Sequence, residues 1–150
     1  MNVESFLKRR GVPFEMLPHR TEFSASRTAQ ALHVPGDNFA KSVVLKVDGR
    51  PVMAVLQATH WVDIPSIIKL LGAKEVRLAP EPELQQMFPD CELGALPPFG
   101  SQYNMETIVD DRLAEDDHIV FDGNSHDRAV YMRFFDYAQI EHPHVAHIAN

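Results

Sequence analysis

The chain has a single cysteine, Cys91, so no intrachain disulfide can form and a reducing compartment is expected. No apolar run approaches the ~20 residues that a membrane-spanning helix needs, so no membrane partner is expected. The opening residues MNVESFLKRRG hold no apolar core followed by a small-residue cleavage site, so no secretory signal is expected either. The cytoplasm is the expected location. There is no Gly-rich phosphate loop, no His-Glu-x-x-His pair and no Gly-x-Ser-x-Gly elbow, which removes the motif-based nucleotide, zinc-protease and serine-hydrolase readings. Internal repeats, low-complexity tracts and linkers are also missing.

What is present fits one domain over residues 1–150 with one core. A domain of this size buries about two-thirds of its unfolded surface and needs no staples. Hydrophobic residues make up 45% and charged residues 23% of the chain. The net charge of −7 speaks against a polyanion partner, but its distribution is uneven. Residues 1–80 carry 11 Lys+Arg against 7 Asp+Glu, and residues 81–150 carry 3 against 14. A polyanion needs a local basic patch, not a basic total. Chance fluctuation in composition explains the asymmetry equally well.

The pattern along the chain is mixed. Val3, Phe6, Leu7 and Arg10 share a helical face, and Gly11 stops it. Pro13 to Leu17 reads as a short strand. Ser24 or Ser26 caps a second helix through Leu32, and Pro35 to Asn38 form a turn. KSVVLKV (41–47) and PVMAVLQ (51–57) flank Asp48-Gly49, a dipeptide that accepts the positive φ of a tight hairpin. Both runs are nearly all apolar, which predicts strands covered on both faces. Asp63 caps a helix that Gly72 ends. A strand over 75–78 and a helix over 80–88 follow. The segment 89–100 reads as a loop, with apolar Leu93, Leu96 and Phe99 that suit a site wall. Strands are expected near 106–110, 118–122 and 129–134, then a helix near 135–140 and an exposed tail. The expected class is α+β, with a curved, barrel-like mixed sheet of about six or seven strands flanked by helices.

Few residues here announce chemistry. Lys41, at a strand mouth beside apolar residues, can hold a phosphate or carboxylate as a point charge. A solvent-facing lysine at a strand edge is the plainer reading of the pattern. In the loop GALPPFG (94–100), glycine admits close backbone approach and Pro97-Pro98 stiffens the path, leaving carbonyls to accept from an ammonium or orient a water. A rigid connector explains the same residues. Cys91 is a poor nucleophile candidate, because Asp90 and Glu92 flank it and adjacent carboxylates raise a thiol pKa. His142, His144 and His147 have a metal-like spacing, but Pro143 breaks any helix that would align them. Asn124 and His126, in the turn between two core strands, are better placed for a substrate, although a turn role suits Asn124 as well.

The order of these elements resembles the YbaK/ProX family of aminoacyl-tRNA editing domains. The resemblance runs from Val3 to the last helix. It rests on FEMLPHR, SRTAQALHVPGDNFAKSVVLKVDG, DIPSIIKLLGAKEVRLA and GALPPFG in that order. Gly94 and Pro98 match the family's Gly-x-x-x-Pro, Pro98-Phe99-Gly100 its Pro-Phe-Gly ending, and Lys41 its strand lysine. The resemblance implies a freestanding deacylase that hydrolyses the ester at the 3′ end of a mischarged aminoacyl-tRNA. It implies no protein nucleophile, no metal and no cofactor, with a substrate ribose hydroxyl assisting the water. Lys41, Gly94 and Pro98 would then be the catalytic group. Phe39, Phe99, Gly100, Phe121, Asn124 and His126 would contact the substrate, with Met53 as a further wall. A synthetase or elongation factor would be the partner that delivers the tRNA. A non-catalytic tRNA- or synthetase-binding module and a hydrolase of small aminoacyl esters are the alternatives.

Overall fold

The computed structural model describes residues 2–150. Helix α1 (Val3–Arg10) begins where Asn2 accepts from the Ser5 amide and ends at Gly11, whose φ of 70° lets its N–H reach back to the Leu7 and Lys8 carbonyls. Glu4 in its first turn and Lys8 to Arg10 in its last both complement the helix dipole. Strand β1 (Phe14–Pro18) and helix α2 (Ala25–Ala31), capped by Ser24, follow. Strands β2 (Phe39–Val47) and β3 (Arg50–Gln57) form the expected hairpin, with Asp48 at φ 48° and Gly49 at φ 87°. Helix α3 (Ile64–Leu71) runs between its Asp63 cap and Gly72. Strand β4 (Val76–Leu78) and helix α4 (Glu81–Met87) lead into the long loop. Strands β5 (Glu106–Asp110), β6 (His118–Asp122) and β7 (Arg128–Arg133), helix α5 (Phe134–Glu141) and strand β8 (His144–Ala146) complete the chain.

The class is α+β, as expected. Among the described residues the single mixed sheet has eight strands, not six or seven, in the order β1-β7-β6-β2-β3-β5-β8, with β4 paired to β2. It does not close into a barrel; β1 and β8 are its two ends. The additional strand is β8, in the segment expected to be an exposed tail. Here β8 pairs in parallel with β5, and Asp110 accepts from the Ile148 and Ala149 amides at 3.0 Å each. Ile148 and Ala149 are consequently fully buried.

Both faces of the central strands are covered. Val44, Met53, Val55, Phe121 and Tyr137 join one large apolar cluster. Leu45, Val47, Val52, Ala54 and Ile67 form a second under α3. Under α2, Ala29, Phe39, Ala58, Val120 and Ala129 form a third.

Strand β2 is divided along one edge. Phe39 and Ala40 pair with β6, whereas Leu45 to Val47 pair with β4. The Val44 carbonyl accepts from the Ala79 amide, so Lys41 to Val43 have no strand partner on that edge among the described residues. Along this gap no ladder separates the two faces of the sheet.

Candidate active site

The divided edge sets the position of Lys41. Parallel register puts Phe39 beside Val120 and Ala40 beside Phe121. One step further along each strand, past this pairing, come Lys41 and Asp122, where β6 ends and the turn to β7 begins. Strand alternation sends the Lys41 side chain to the Phe39 side. Its Nζ donates to the Ala58 carbonyl at 3.3 Å and lies 4.9 Å from the centre of the Trp61 ring. The Ser26 hydroxyl donates to the same carbonyl at 3.1 Å. Partial burial lowers the Lys41 pKa from its ordinary value, since desolvation disfavours the ammonium. Among the described residues, no hydrogen bond joins Lys41 to the 94–100 loop.

Asn124 and His126 bind that loop to the β6–β7 turn. Asn124 has φ 72°, a conformation that its short polar side chain tolerates. Its Oδ1 accepts from the Val3 amide at 2.8 Å, its Nδ2 donates to the Asp90 carbonyl at 3.3 Å, and its carbonyl accepts from the Glu92 amide. His126 Nε2 lies 2.6 Å from the Leu93 carbonyl. A carbonyl only accepts, so Nε2 carries the proton. The His126 amide donates to Glu92 Oε2 at 3.2 Å. Gly94 adopts φ 85°, and a Cβ there would lie 3.5 Å from His126 Cε1. The structure therefore brings Gly94, Asn124 and His126 together, with both side chains spent on holding the loop.

The loop itself is a rigid arc. The buried Tyr137 hydroxyl donates to the Pro98 carbonyl at 2.7 Å, and the Phe99 amide donates to the Pro97 carbonyl. The carbonyls of Gly94, Ala95 and Leu96 accept no hydrogen bond from the described residues. Gly94 is exposed while Ala95 and Leu96 are buried, and the three carbonyls are left free to accept from a ligand. Gly100 closes the arc by donating to Thr107 Oγ1 at 3.0 Å. A Cβ at Gly100 would lie 2.5 Å from that oxygen and 3.0 Å from the Met105 carbonyl oxygen, so only glycine fits. Glu141 accepts from Thr107, from the Ser101 hydroxyl and from the Ser101 amide, which anchors α5 beneath the arc.

The expected pocket walls lie deeper. Phe39, Met53, Phe99 and Phe121 are all fully buried, so they back the site and present no surface to a ligand in this conformation. Phe99 packs edge-on against Phe121 and Tyr137. A groove of about 530 Å³ does open beside the turn, but Glu4, Asp90, Glu92 and Asp127 line it together with Arg128. Such an acidic wall repels phosphate, and neither Lys41 nor Gly94 borders it.

Cys91 is unsuited to attack. Burial, with the Asp90 carboxylate beside it, pushes the thiol up to about 11. Its Sγ is held by Tyr103, Asp90 and Asn124. Of the C-terminal histidines, His147 joins Asp110 and Asp111 in a cluster with metal-ligand dimensions. The Asp110 oxygens are committed to Gln57 and to the amides of Arg112, Ile148 and Ala149, which makes the cluster a clamp on the C-terminal segment.

Three residues near the site escaped the sequence reading. Asp122 is 5% exposed, and its Oδ1 has no partner among the described residues. Trp61 stands open beside Lys41. Tyr137 holds the loop carbonyl. Only strand alternation in HIVFD, which sets Asp122 on one face with Val120, offered any signal for them.

A family model described as an aminoacyl-tRNA editing domain matches residues 19–140. The chain belongs to this family. The Multifunctional Ser/Thr-tRNA deacylase ProXp-y of Escherichia coli (strain K12) is 26% identical over 144 residues, covering 93% of this chain and 86% of that one. Proline--tRNA ligase 1 of Bacillus thuringiensis is 32% identical over 83 residues, which are 55% of this editing domain and 14% of the ligase. Among solved structures, hypothetical protein APE2540 superposes with a TM-score of 0.89 at 21% identity, covering 99% of both chains. A candidate trans-editing enzyme for prolyl tRNA synthetase superposes at 0.83 with 20% identity, over 99% of this chain and 94% of that one. Editing-domain membership thus rests on sequence, and the structural likeness supports the fold.

Proposed function

We propose that the protein is a freestanding aminoacyl-tRNA deacylase that hydrolyses the ester of a mischarged tRNA. The observation that carries this reading is the match to the editing-domain family across residues 19–140. The signature arc with its unpaired Gly94, Ala95 and Leu96 carbonyls suits the same reading. An aminoacyl ester carries an ammonium next to its scissile bond, and a row of carbonyl dipoles suits a cation. Water adds to the ester carbonyl carbon, the bond to the ribose oxygen breaks, and a free amino acid and an uncharged tRNA leave. A ribose hydroxyl of the substrate positions the water and takes part in its proton transfer. Lys41 opposes the negative charge that develops along this path. Positioning and electrostatics supply the acceleration, without a protein nucleophile.

The partner is the 3′ end of an aminoacyl-tRNA. A net charge of −7 gives modest intrinsic affinity for RNA, so a synthetase or an elongation factor delivers the substrate. The Escherichia coli relative is named for Ser- and Thr-tRNA, which puts these two aminoacyl groups first among the substrates to test.

The test is deacylation of Ser-tRNAThr, Ser-tRNAAla, Thr-tRNA, Ala-tRNAPro and Cys-tRNAPro by wild type and by Lys41→Ala. Cleavage of one or two members is expected. Lys41→Ala should cut turnover ~100-fold, about 3 kcal/mol for one charged interaction removed from the transition state. A folded protein inactive on the whole panel removes the reading, and an unchanged Lys41→Ala rate removes Lys41 from the mechanism.

A further inference from the structure

We propose that Trp61 is a stacking platform for the nucleobase at the 3′ end of the RNA that this site receives. The proposal rests on the reading above, in which the substrate is an aminoacylated RNA end.

Trp61 is 75% exposed, although a tryptophan is among the most favourable side chains to bury. Its backbone is nevertheless fixed. Its N–H donates to the Asn150 carbonyl at 3.4 Å, and its carbonyl accepts from the Asn150 amide at 3.0 Å. The neighbouring Val62 bridges to Ala149. The indole is therefore displayed from a held main chain, at small ordering cost to a ligand.

The surroundings select the ligand. The Lys41 ammonium lies 4.9 Å from the ring centre. On the adjoining residue, His60 Nε2 contacts Arg112 Nη1 at 3.2 Å. Lys41 stands over one face of an indole that is still 75% exposed, with Arg112 one residue away, and the remaining ring surface matches a flat base attached to phosphates. An apolar peptide or a lipid tail would meet those cations unpaired. A base has a π-face whatever its sequence, so such a platform is sequence-tolerant. This suits an enzyme whose reacting ester lies on the terminal nucleoside. Stacking there would also direct the ester, one ribose away, toward the side of the sheet on which Lys41 stands.

The chain has one tryptophan, so its indole emission reports Trp61 alone. The test is titration of the intact protein with a short unacylated acceptor-stem RNA ending in CCA, and with the same RNA carrying an abasic terminal residue. Saturable quenching by the first RNA and about tenfold weaker binding of the second are expected, within the range of one base–aromatic stack. In parallel, Trp61→Ala should raise KM for the cleaved aminoacyl-tRNA about tenfold, and Trp61→Phe should restore most of it. Phe135→Ala, at an exposed ring elsewhere, should leave KM unchanged.

Emission unchanged at saturating RNA, or equal binding of the intact and abasic RNAs, overturns the proposal. A response to an added synthetase but not to RNA overturns it too, and assigns the ring to a protein partner. The emission arm needs no turnover. Quenching without deacylation would sink the deacylase reading and leave the platform standing, whereas deacylation without quenching would sink the platform alone.

Discussion

Asp122 should make this protein lose stability as pH rises through neutrality. The residue is 5% exposed, it accepts no hydrogen bond from the described residues, and it makes no ion pair with Lys41, which lies one step past the β2–β6 pairing. Burial pushes the carboxyl from 3.8 up to about 7. In the unfolded chain the group ionises near its ordinary value. Between pH 3.8 and 7 the folded state therefore keeps a proton that the unfolded state has released. The folded form is favoured most below pH 4, and that advantage is gone above pH 7. A shift of about three pH units is worth about 4 kcal/mol, of which about 3 kcal/mol falls between pH 4.5 and 8. Asp122→Asn cannot ionise and escapes this loss. Its intrinsic fit is the same at every pH, so it cancels when the two proteins are compared across pH. Urea unfolding of wild type and Asp122→Asn at pH 4.5 and 8 measures the difference. The variant should gain about 3 kcal/mol on wild type over that interval. A wild-type–variant difference that stays constant within about 0.5 kcal/mol would show that the carboxylate finds a partner or water, and would refute the reasoning.

Other outcomes follow from the loop and the thiol. Tyr137→Phe removes the donor to the buried Pro98 carbonyl and should cost about 1–3 kcal/mol in urea unfolding, with slower deacylation as the arc loosens. Gly100→Ala forces a methyl against Thr107 and Met105; a loss of about 1–3 kcal/mol is expected, read as a lower Tm. Cys91→Ala should deacylate like wild type, and alkylation of Cys91 by iodoacetamide should stay slow until pH approaches 11. Rapid alkylation at pH 7 with parallel loss of activity would restore a thiol mechanism.

Local signals in the sequence carried a good part of the fold. Asp48-Gly49, the Asp63 cap and the stops at Gly11 and Gly72 each act within a few residues, and all appear where the pattern put them. Strand β8 left no such trace. HVA is three residues long, and its pairing depends on β5 and on the Asp110 clamp, which lie over 30 residues away. The site divides in the same way. Gly94, Asn124 and His126 stood out in the sequence, and they do cluster. That Asn124 and His126 grip the loop follows only from tertiary register. The apolar character of Phe39 and Phe121 was plain, but apolarity does not distinguish a pocket wall from a core residue behind it. Asp122 and Trp61 are conspicuous only through burial and exposure, quantities that a sequence does not contain.

The bond from the Val3 amide to Asn124 spans 121 positions, and β1 pairs with β7 across a similar distance. Strands β2 and β3, by contrast, can join as soon as both have left the ribosome. The turn that holds the signature arc has to wait for nearly the whole chain, and closing so long a loop is slow. A nascent chain therefore displays Lys41 on its hairpin well before the turn and the arc are joined. An unfinished copy of this enzyme has no means of stripping amino acids from the charged tRNAs that crowd the ribosome making it.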